Sequence, residues 1–170
     1  MSALCSEHKP TFQAYLGQEQ YAVGVKAALE KLAATMNVLL QLHPDSAVIQ
    51  IDAISAFNFM LREVMLSELE ACCPELVTIL AQWMARESTE GLLPPDGKTA
   101  EFNSSVGVDQ GCPGSPVAFA LGMRRAICRI RQRVQDWIRD AATPPPEGTL
   151  LAILSFLDDF TVILPPPPAA

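Results

Sequence analysis

The chain has 170 residues, 49% of them hydrophobic, which is enough to bury one core and fits a single domain. Its net charge of -7 argues against a generally basic, nucleic-acid-binding surface, because phosphates are normally met by clustered Lys and Arg. The five cysteines form no CxxC pair, and with only two histidines they support neither a disulfide framework nor structural zinc. No signal sequence or apolar run of membrane-spanning length is evident, so we expect a soluble intracellular protein.

The first half of the chain predicts helices around one strand. Apolar residues recur every three or four positions over residues 25–39, which predicts a helix with one buried stripe. Residues 48–51 are rich in β-branched side chains and predict a short buried strand with Asp52 at its carboxyl end. Asn58 is predicted to cap the next helix, and Pro74 to open another.

The second half predicts two hairpins on either side of a long helix. A Pro-Asp-Gly turn at residues 95–97 marks the tip of the first hairpin. A glycine-rich loop, residues 107–114, leads to Ser115 and Pro116, the predicted N-cap and first position of the long helix. Residues 143–148 contain three prolines and predict a loop. Apolar runs at 150–157 and 160–164 then predict a hairpin whose turn exposes Asp158 and Asp159.

This order of elements predicts an α+β fold with an antiparallel sheet covered by helices on one face. Asp52 alone could be a capping residue, and Asp158-Asp159 alone could be polar turn residues. If the strand ending at Asp52 lies beside the terminal hairpin, however, all three carboxylates converge at one end of the sheet. Such a cluster suits two Mg²⁺ or Mn²⁺ ions, and two ions can stabilise the attacking and leaving oxygens of phosphoryl transfer.

Three segments carry a family resemblance in the same order. Residues 51–58 (IDAISAFN) resemble the first palm motif of reverse transcriptases, which are RNA-directed DNA polymerases, and especially those of non-LTR retrotransposons. Residues 107–116 (GVDQGCPGSP) resemble the Gln-Gly template and nucleotide-binding motif, and residues 156–159 (FLDD) resemble the Tyr-x-Asp-Asp box. Residues 20–26 are similar to the segment that precedes the first motif. The resemblance runs from about residue 18 to residue 164.

The resemblance implies a polymerase palm-like sheet with a partial fingers region over residues 18–164. Residues 1–17 would then be a poorly ordered leader, and residues 165–170 a proline-rich tail. The implied partners are an RNA template, a DNA primer and dNTPs, and the implied location is the nucleus.

The resemblance also implies roles for single residues. Asp52 and Asp158 would ligate the two metal ions and Asp159 would assist, in a two-metal nucleotidyl transfer. Gln110 and Gly111 would position the nucleotide or template. Phe57 would be a steric gate against a 2′-hydroxyl, and the alternative is that it is an ordinary core aromatic. Phe156 stands in place of the usual tyrosine.

Several features leave other functions open. The arginines of residues 124–139 could meet phosphates, or could form the solvated face of an amphipathic helix. Asp109 adds negative charge near the Gln-Gly motif. No thumb follows the last motif, so we expect a fragment that is inactive or incomplete alone. The alternatives are a non-catalytic retroelement remnant or interaction module, and a palm enzyme such as a nucleotidyl cyclase or an RNA polymerase, against which Phe57 and the Gln-Gly motif argue.

Overall fold

A computed structural model describes residues 2–85, 88–92, 100–109, 111–140 and 152–165, with the backbone alone for 88–92 and 100–104. Within these ranges the fold mixes helices and strands. The α-helices are α1 (Ser2–Glu7), α2 (Lys9–Leu16), α3 (Ala28–Leu42), α4 (Ala56–Phe59), α5 (Arg62–Cys72), α6 (Val77–Met84) and α7 (Ser115–Arg139). A 3-10 helix (Pro74–Leu76) precedes α6. The strands are β1 (Ala47–Asp52), β2 (Ser88–Leu92), β3 (Ala100–Ser104), β4 (Ala152–Phe156) and β5 (Asp159–Leu164). None of the helices described is both long and apolar enough to span a membrane.

Three strands form an antiparallel sheet in the order β1-β5-β4, and β2 pairs with β3 as a separate antiparallel hairpin. Both predicted hairpins are therefore present, although the turn at 95–97 and the loop at 143–148 lie outside the described residues. The central strand is β5, the second strand of the terminal hairpin. The last segment of the chain thus lies between β1 and β4, so the sheet depends on pairing between distant parts of the sequence.

Helix α7 covers one face of the sheet. Its Ile127 packs with Ile153 of β4 and with Phe160 and Val162 of β5. The first half of α7 belongs to a larger core in which Phe119 and Leu121 are fully buried against α2, α5 and α6. One long amphipathic helix therefore connects the helical core to the sheet.

Strand β1 is exposed, so the prediction of a buried strand at residues 48–51 is wrong. Val48, Ile49 and Ile51 are between 40% and 47% exposed. The reason is topological, because β1 is an edge strand and the buried cluster under α7 takes side chains from β4 and β5 only. The opposite face of the sheet borders a cavity that α3 also lines, and the predicted buried stripe of α3 is only half-buried at Leu32 and Met36 and is exposed at Leu29.

Three local expectations also change. Helix α7 begins one residue earlier than predicted, with Gly114 as its N-cap and Pro116 in its first turn. Asn58 lies inside α4 and does not cap a helix, since α5 starts after Leu61. Residues 2–16, within the segment expected to be a leader, form α1 and α2, and Phe12 is only 1% exposed. The N-terminal segment therefore contributes to the core.

Candidate active site

Two of the three predicted carboxylates face each other across neighbouring strands. Asp52, the last residue of β1, is the register partner of Asp159, the first residue of β5. Asp158 precedes it in the two-residue turn that joins β4 to β5 and is half-buried, whereas Asp52 and Asp159 are exposed. The sheet therefore brings the two acidic motifs to one end. It pairs Asp52 with Asp159, the residue to which the resemblance gave the assisting role.

The carboxylate oxygens of these residues do not all lie within 4.8 Å of one another. Directly opposed residues of an antiparallel pair have Cβ atoms about 4.5–5.5 Å apart, so rotation about the side-chain bonds can still bring Asp52 and Asp159 together. Asp158 lies in the turn and has no register partner in the sheet. The three carboxylates are therefore near one another, but their oxygens are not gathered around one point.

The face of the sheet that carries Asp52 and Asp159 also borders a cavity. Strand alternation puts Gln50, Thr161 and Phe156 on the same face as the two aspartates. The cavity has a volume of about 370 Å³ and is lined on its other side by Leu29, Leu32 and Met36 of α3. This volume lies in the range of small-ligand pockets.

The turn that contains Asp158 is fixed by a buried glutamine. Gln20 is only 2% exposed, and its side-chain oxygen accepts hydrogen bonds from the backbone N–H of Leu157 (3.1 Å) and of Ala22 (3.0 Å). Leu157 has a positive φ of 56°, an uncommon conformation for a residue with a branched side chain. The hydrogen bond to Gln20 therefore holds a strained residue immediately before Asp158.

The segment around Gln20 is itself attached to the edge of the sheet. Ser155 of β4 donates its backbone N–H to the Glu19 carbonyl (2.7 Å), and its carbonyl accepts the N–H of Tyr21 (2.9 Å). The family resemblance included residues 20–26 but gave Gln20 no role. Only the three-dimensional pairing shows that this residue supports the acidic turn.

The glycine-rich loop docks on the helix that follows Asp52. The N–H groups of Gly107 and Val108 donate to the carbonyls of Met60 and Phe57, at 2.9 Å each. Gly107 has a φ of +74°, and a Cβ there would lie 2.5 Å from the carbonyl oxygens of Phe57 and Asn58. Glycine is required at this position by both backbone conformation and space.

Two polar side chains that belong to α5 and α7 donate hydrogen bonds to the same loop. Arg62 donates to the Gly107 carbonyl (2.9 Å) and to the Met84 carbonyl (2.6 Å), which joins the loop to the end of α6. Ser115, buried at the start of α7, donates its hydroxyl to the Asp109 carbonyl (2.6 Å). Gly111 is exposed, with open space where a side chain would be, and Gln110 lies outside the described residues.

Phe57 lies in the helix on which the glycine-rich loop docks, and its ring packs on the core. Its ring stacks on Phe119 with centroids 4.2 Å apart and an interplanar angle of 10°. Phe119 is fully buried, whereas Phe57 is half-buried. The core-aromatic interpretation therefore describes one side of the ring, and the role of its accessible part stays a prediction.

Much of the arginine stretch in α7 is used in structure. Arg125 is paired with the buried carboxylate of Glu68, which also accepts a hydrogen bond from the Tyr15 hydroxyl (3.0 Å). Arg124 lies 3.6 Å from Glu68, donates to the Tyr15 carbonyl (2.9 Å) and stacks over the Tyr15 ring. This cluster joins α2, α5 and α7. Arg129 and Arg133, further along α7, are exposed.

No protein-family model matches the chain, and no curated protein matches it. Two solved structures are similar in fold. The first is telomerase from Candida albicans in complex with a TWJ fragment of telomeric RNA, with a TM-score of 0.58 and 12% identity over 96% of this chain and 29% of that chain. The second is apo telomerase from Candida tropicalis truncated from its C-terminal domain, with a TM-score of 0.55 and 13% identity over 94% of this chain and 34% of that chain. The chain thus spans about a third of each telomerase and has a reverse-transcriptase-like fold.

Proposed function

We propose that the chain is the palm core of an RNA-directed DNA polymerase that transfers dNTPs to a primer 3′ end on an RNA template. The observation that carries this proposal is the opposition of Asp52 and Asp159 at the end of a sheet, beside Asp158. Like charges directly opposite each other across strands are mildly destabilising, and a cation bound between them would remove that repulsion. The reverse-transcriptase-like fold supports a catalytic origin for this charge.

The donor set fits the proposed Mg²⁺ or Mn²⁺ pair. All three side chains offer hard carboxylate oxygens, and the exposed positions of Asp52 and Asp159 leave room for water and substrate oxygens. When bound, the two ions would supply charge stabilisation of the attacking and leaving oxygens. Asp52 and Asp159 would hold them from adjacent strands, and Asp158 would add a ligand from the turn.

The docked glycine-rich loop supports a nucleotide site next to these carboxylates. Through Gly107 and Val108 the loop lies against the helix that carries Phe57. Gly111 leaves its backbone accessible for close approach by a ligand, and Gln110 would add side-chain hydrogen bonds. Phe57, fixed by its stacking on Phe119, would exclude a sugar 2′-hydroxyl by steric contact.

Two observations support nucleic-acid partners. One telomerase of similar fold was solved with a fragment of telomeric RNA, and the exposed Arg129 and Arg133 offer positive charge on α7. The assignment to the non-LTR retrotransposon type depends on the resemblance of residues 51–58 and of residues 20–26.

A non-catalytic protein that keeps this fold is the second candidate. The net charge of -7 and the two facing aspartates favour it, because a polymerase must attract phosphates. In that case the loop and the acidic turn would be retained for structure only. Substitution of the aspartates would then affect charge repulsion and nothing else.

Primer extension separates the two candidates. The assay uses an RNA template, a DNA primer, dNTPs and Mg²⁺ or Mn²⁺, with Asp52→Asn, Asp158→Asn and the control Asp45→Asn, which changes an exposed aspartate before β1. We expect each active-site variant to lose at least about 100-fold in extension, since ligand loss removes several kcal/mol of charge stabilisation. Asp45→Asn should retain activity. The same substitutions are also tested in a longer form that adds any flanking coding sequence, because the palm core is expected to be incomplete alone. Folded protein without extension in either form, native or variant, would favour the non-catalytic candidate.

A further inference from the structure

A second group of potential metal ligands lies far along the chain from the aspartates. His8 precedes α2, Cys73 follows α5, and Glu75 lies in the 3-10 helix. The distances are 3.4 Å from Cys73 Sγ to His8 Nδ1, 3.1 Å from Cys73 Sγ to Glu75 Oε1, and 3.6 Å from His8 Nδ1 to Glu75 Oε1. Three donors of different chemistry therefore form a compact triangle.

The dimensions of this triangle match those of a tetrahedral metal site. Zinc bonds of about 2.3 Å to sulfur and about 2.0–2.1 Å to nitrogen or oxygen, at tetrahedral angles, separate the donors by about 3.3–3.6 Å. Each of the three measured edges lies within a few tenths of an ångström of that range. Only small side-chain rotations would be needed to bind an ion at the centre.

The donor set also has suitable charge and softness. A thiolate and a carboxylate would neutralise a divalent cation, and imidazole is a common ligand of zinc. A thiolate in the set favours Zn²⁺ over Mg²⁺ or Ca²⁺. Cys73 is buried, whereas the Glu75 side chain is 59% exposed, so water can reach the triangle from the Glu75 side.

We propose that His8, Cys73 and Glu75 form a binding site for Zn²⁺, with water as the fourth ligand. Binding replaces the thiol proton of Cys73 by a sulfur–zinc bond and releases one proton to solvent. The bound ion joins the start of α2 to the end of α5, which are about 65 residues apart in sequence. The site is structural and is separate from the aspartates of the proposed active site.

The competing interpretation is a hydrogen-bonded cluster without metal. In the metal-free chain the Cys73 thiol donates to Glu75, and this hydrogen bond lowers the pKa of the Glu75 carboxyl. Such a network needs no ion and would show no preference for zinc. The two interpretations differ in stoichiometry, spectrum and response to substitution.

The test is titration of the purified chain, stripped with a chelator, with Zn²⁺ by calorimetry and with Co²⁺ by absorption spectroscopy. We expect one tight Zn²⁺ site, a thiolate-to-cobalt charge-transfer band, and a rise in melting temperature on zinc addition. His8→Gln and Glu75→Gln should weaken binding by more than about 100-fold, because even the loss of an outer-shell contact costs 10–100-fold. These two substitutions keep Cys73, so the test does not require the buried thiol to be replaced.

Two controls complete the design. Cys72→Ser removes the neighbouring, half-buried thiol, which lies outside the triangle, and should leave zinc binding unchanged. Asp52→Asn removes a carboxylate of the other acidic site and should also leave it unchanged. Zinc binding that is absent, that survives both His8→Gln and Glu75→Gln, or that is lost in Asp52→Asn would overturn the proposal.

Discussion

The opposition of Asp52 and Asp159 predicts that removing one charge stabilises the metal-free protein. Two unit charges about 5 Å apart repel by about 0.8 kcal/mol in water, and by up to about 3 kcal/mol at the lower effective dielectric of a protein surface. Both side chains are exposed, so the lower value applies. We therefore expect Asp52→Asn to raise the free energy of unfolding by about 0.5–1 kcal/mol at low salt.

The same repulsion determines how Asp159→Asn and the double variant change the free energy of unfolding. Asp159→Asn should give a similar gain, and the double variant should gain little more than either single variant, because the repulsion is removed only once. High salt should reduce the gain, since surface charges are screened over about 10 Å at 0.1 M ionic strength. Asp45→Asn should change stability little.

Urea unfolding with and without Mg²⁺ measures both the repulsion between the two aspartates and the effect of a bound ion on stability. The native chain should be stabilised by Mg²⁺, since an ion that binds only the folded state shifts the equilibrium toward it. Asp52→Asn should lose most of that response. An Asp52→Asn protein that is less stable than the native chain without metal, or that gains as much from Mg²⁺, would refute the argument.

Four further predictions test the supports of the site. Gly107→Ala should cost at least about 2 kcal/mol in urea unfolding, because a Cβ would strike two backbone carbonyls, while Gly111→Ala, in open space, should cost only its backbone strain of about 1 kcal/mol. Gln20→Leu should cost about 1–3 kcal/mol by the same measurement, since it leaves the Leu157 N–H without its acceptor; an unchanged midpoint would show that the turn holds without Gln20. Glu68→Gln should destabilise by about 1–3 kcal/mol, against near zero for the exposed Glu70→Gln. Burial and the hydrogen bond to Glu68 raise the pKa of Tyr15. The contribution of Tyr15 to the stability of the fold is therefore present below pH 10 and is lost as the pH rises above 10. The melting temperature should fall more steeply at alkaline pH for the native chain than for Tyr15→Phe.

The local elements could be predicted from sequence wherever a single pattern determined them. The apolar period gave α3, α5 and α7, and the two apolar runs around Asp158-Asp159 gave the β4–β5 hairpin. Helix starts were less predictable. Asn58 has a good capping side chain, but the short helix α4 extends through it and Leu61 precedes α5. Tertiary contacts of the docked loop outweigh a cap worth about 1 kcal/mol.

Burial was predicted poorly for β1 because it depends on the neighbours of a strand. A run such as residues 48–51 has the composition of a central strand, yet the last segment of the chain takes the central position. The pairing of Asp52 with Asp159 instead of Asp158 has the same origin. It is set by the register of β1 against β5, and a shift of one residue would place either Asp158 or Phe160 opposite Asp52.

The cysteine count could not predict the His8–Cys73–Glu75 group either. Zinc patterns in sequence rely on ligands that are closely spaced, whereas this group combines one distant histidine with a cysteine and a nearby glutamate. Its geometry exists only because α2 packs against α5. The proposed structural ion therefore depends on the same helical core that carries Phe119.

Both proposed sites depend on contacts between the N-terminal segment and later elements, and this dependence has a functional consequence. Gln20 supports the turn before Asp158, and His8 contacts the end of α5. Loss of the α1–α2 segment would thus remove a zinc ligand and the buried Phe12, and it would disturb the acidic turn through the position of Gln20. A chelator, in contrast, should loosen the contact between His8 and the end of α5 and leave the hydrogen bond from Leu157 to Gln20 in place. The two sites can therefore be perturbed separately, although both depend on the N-terminal segment.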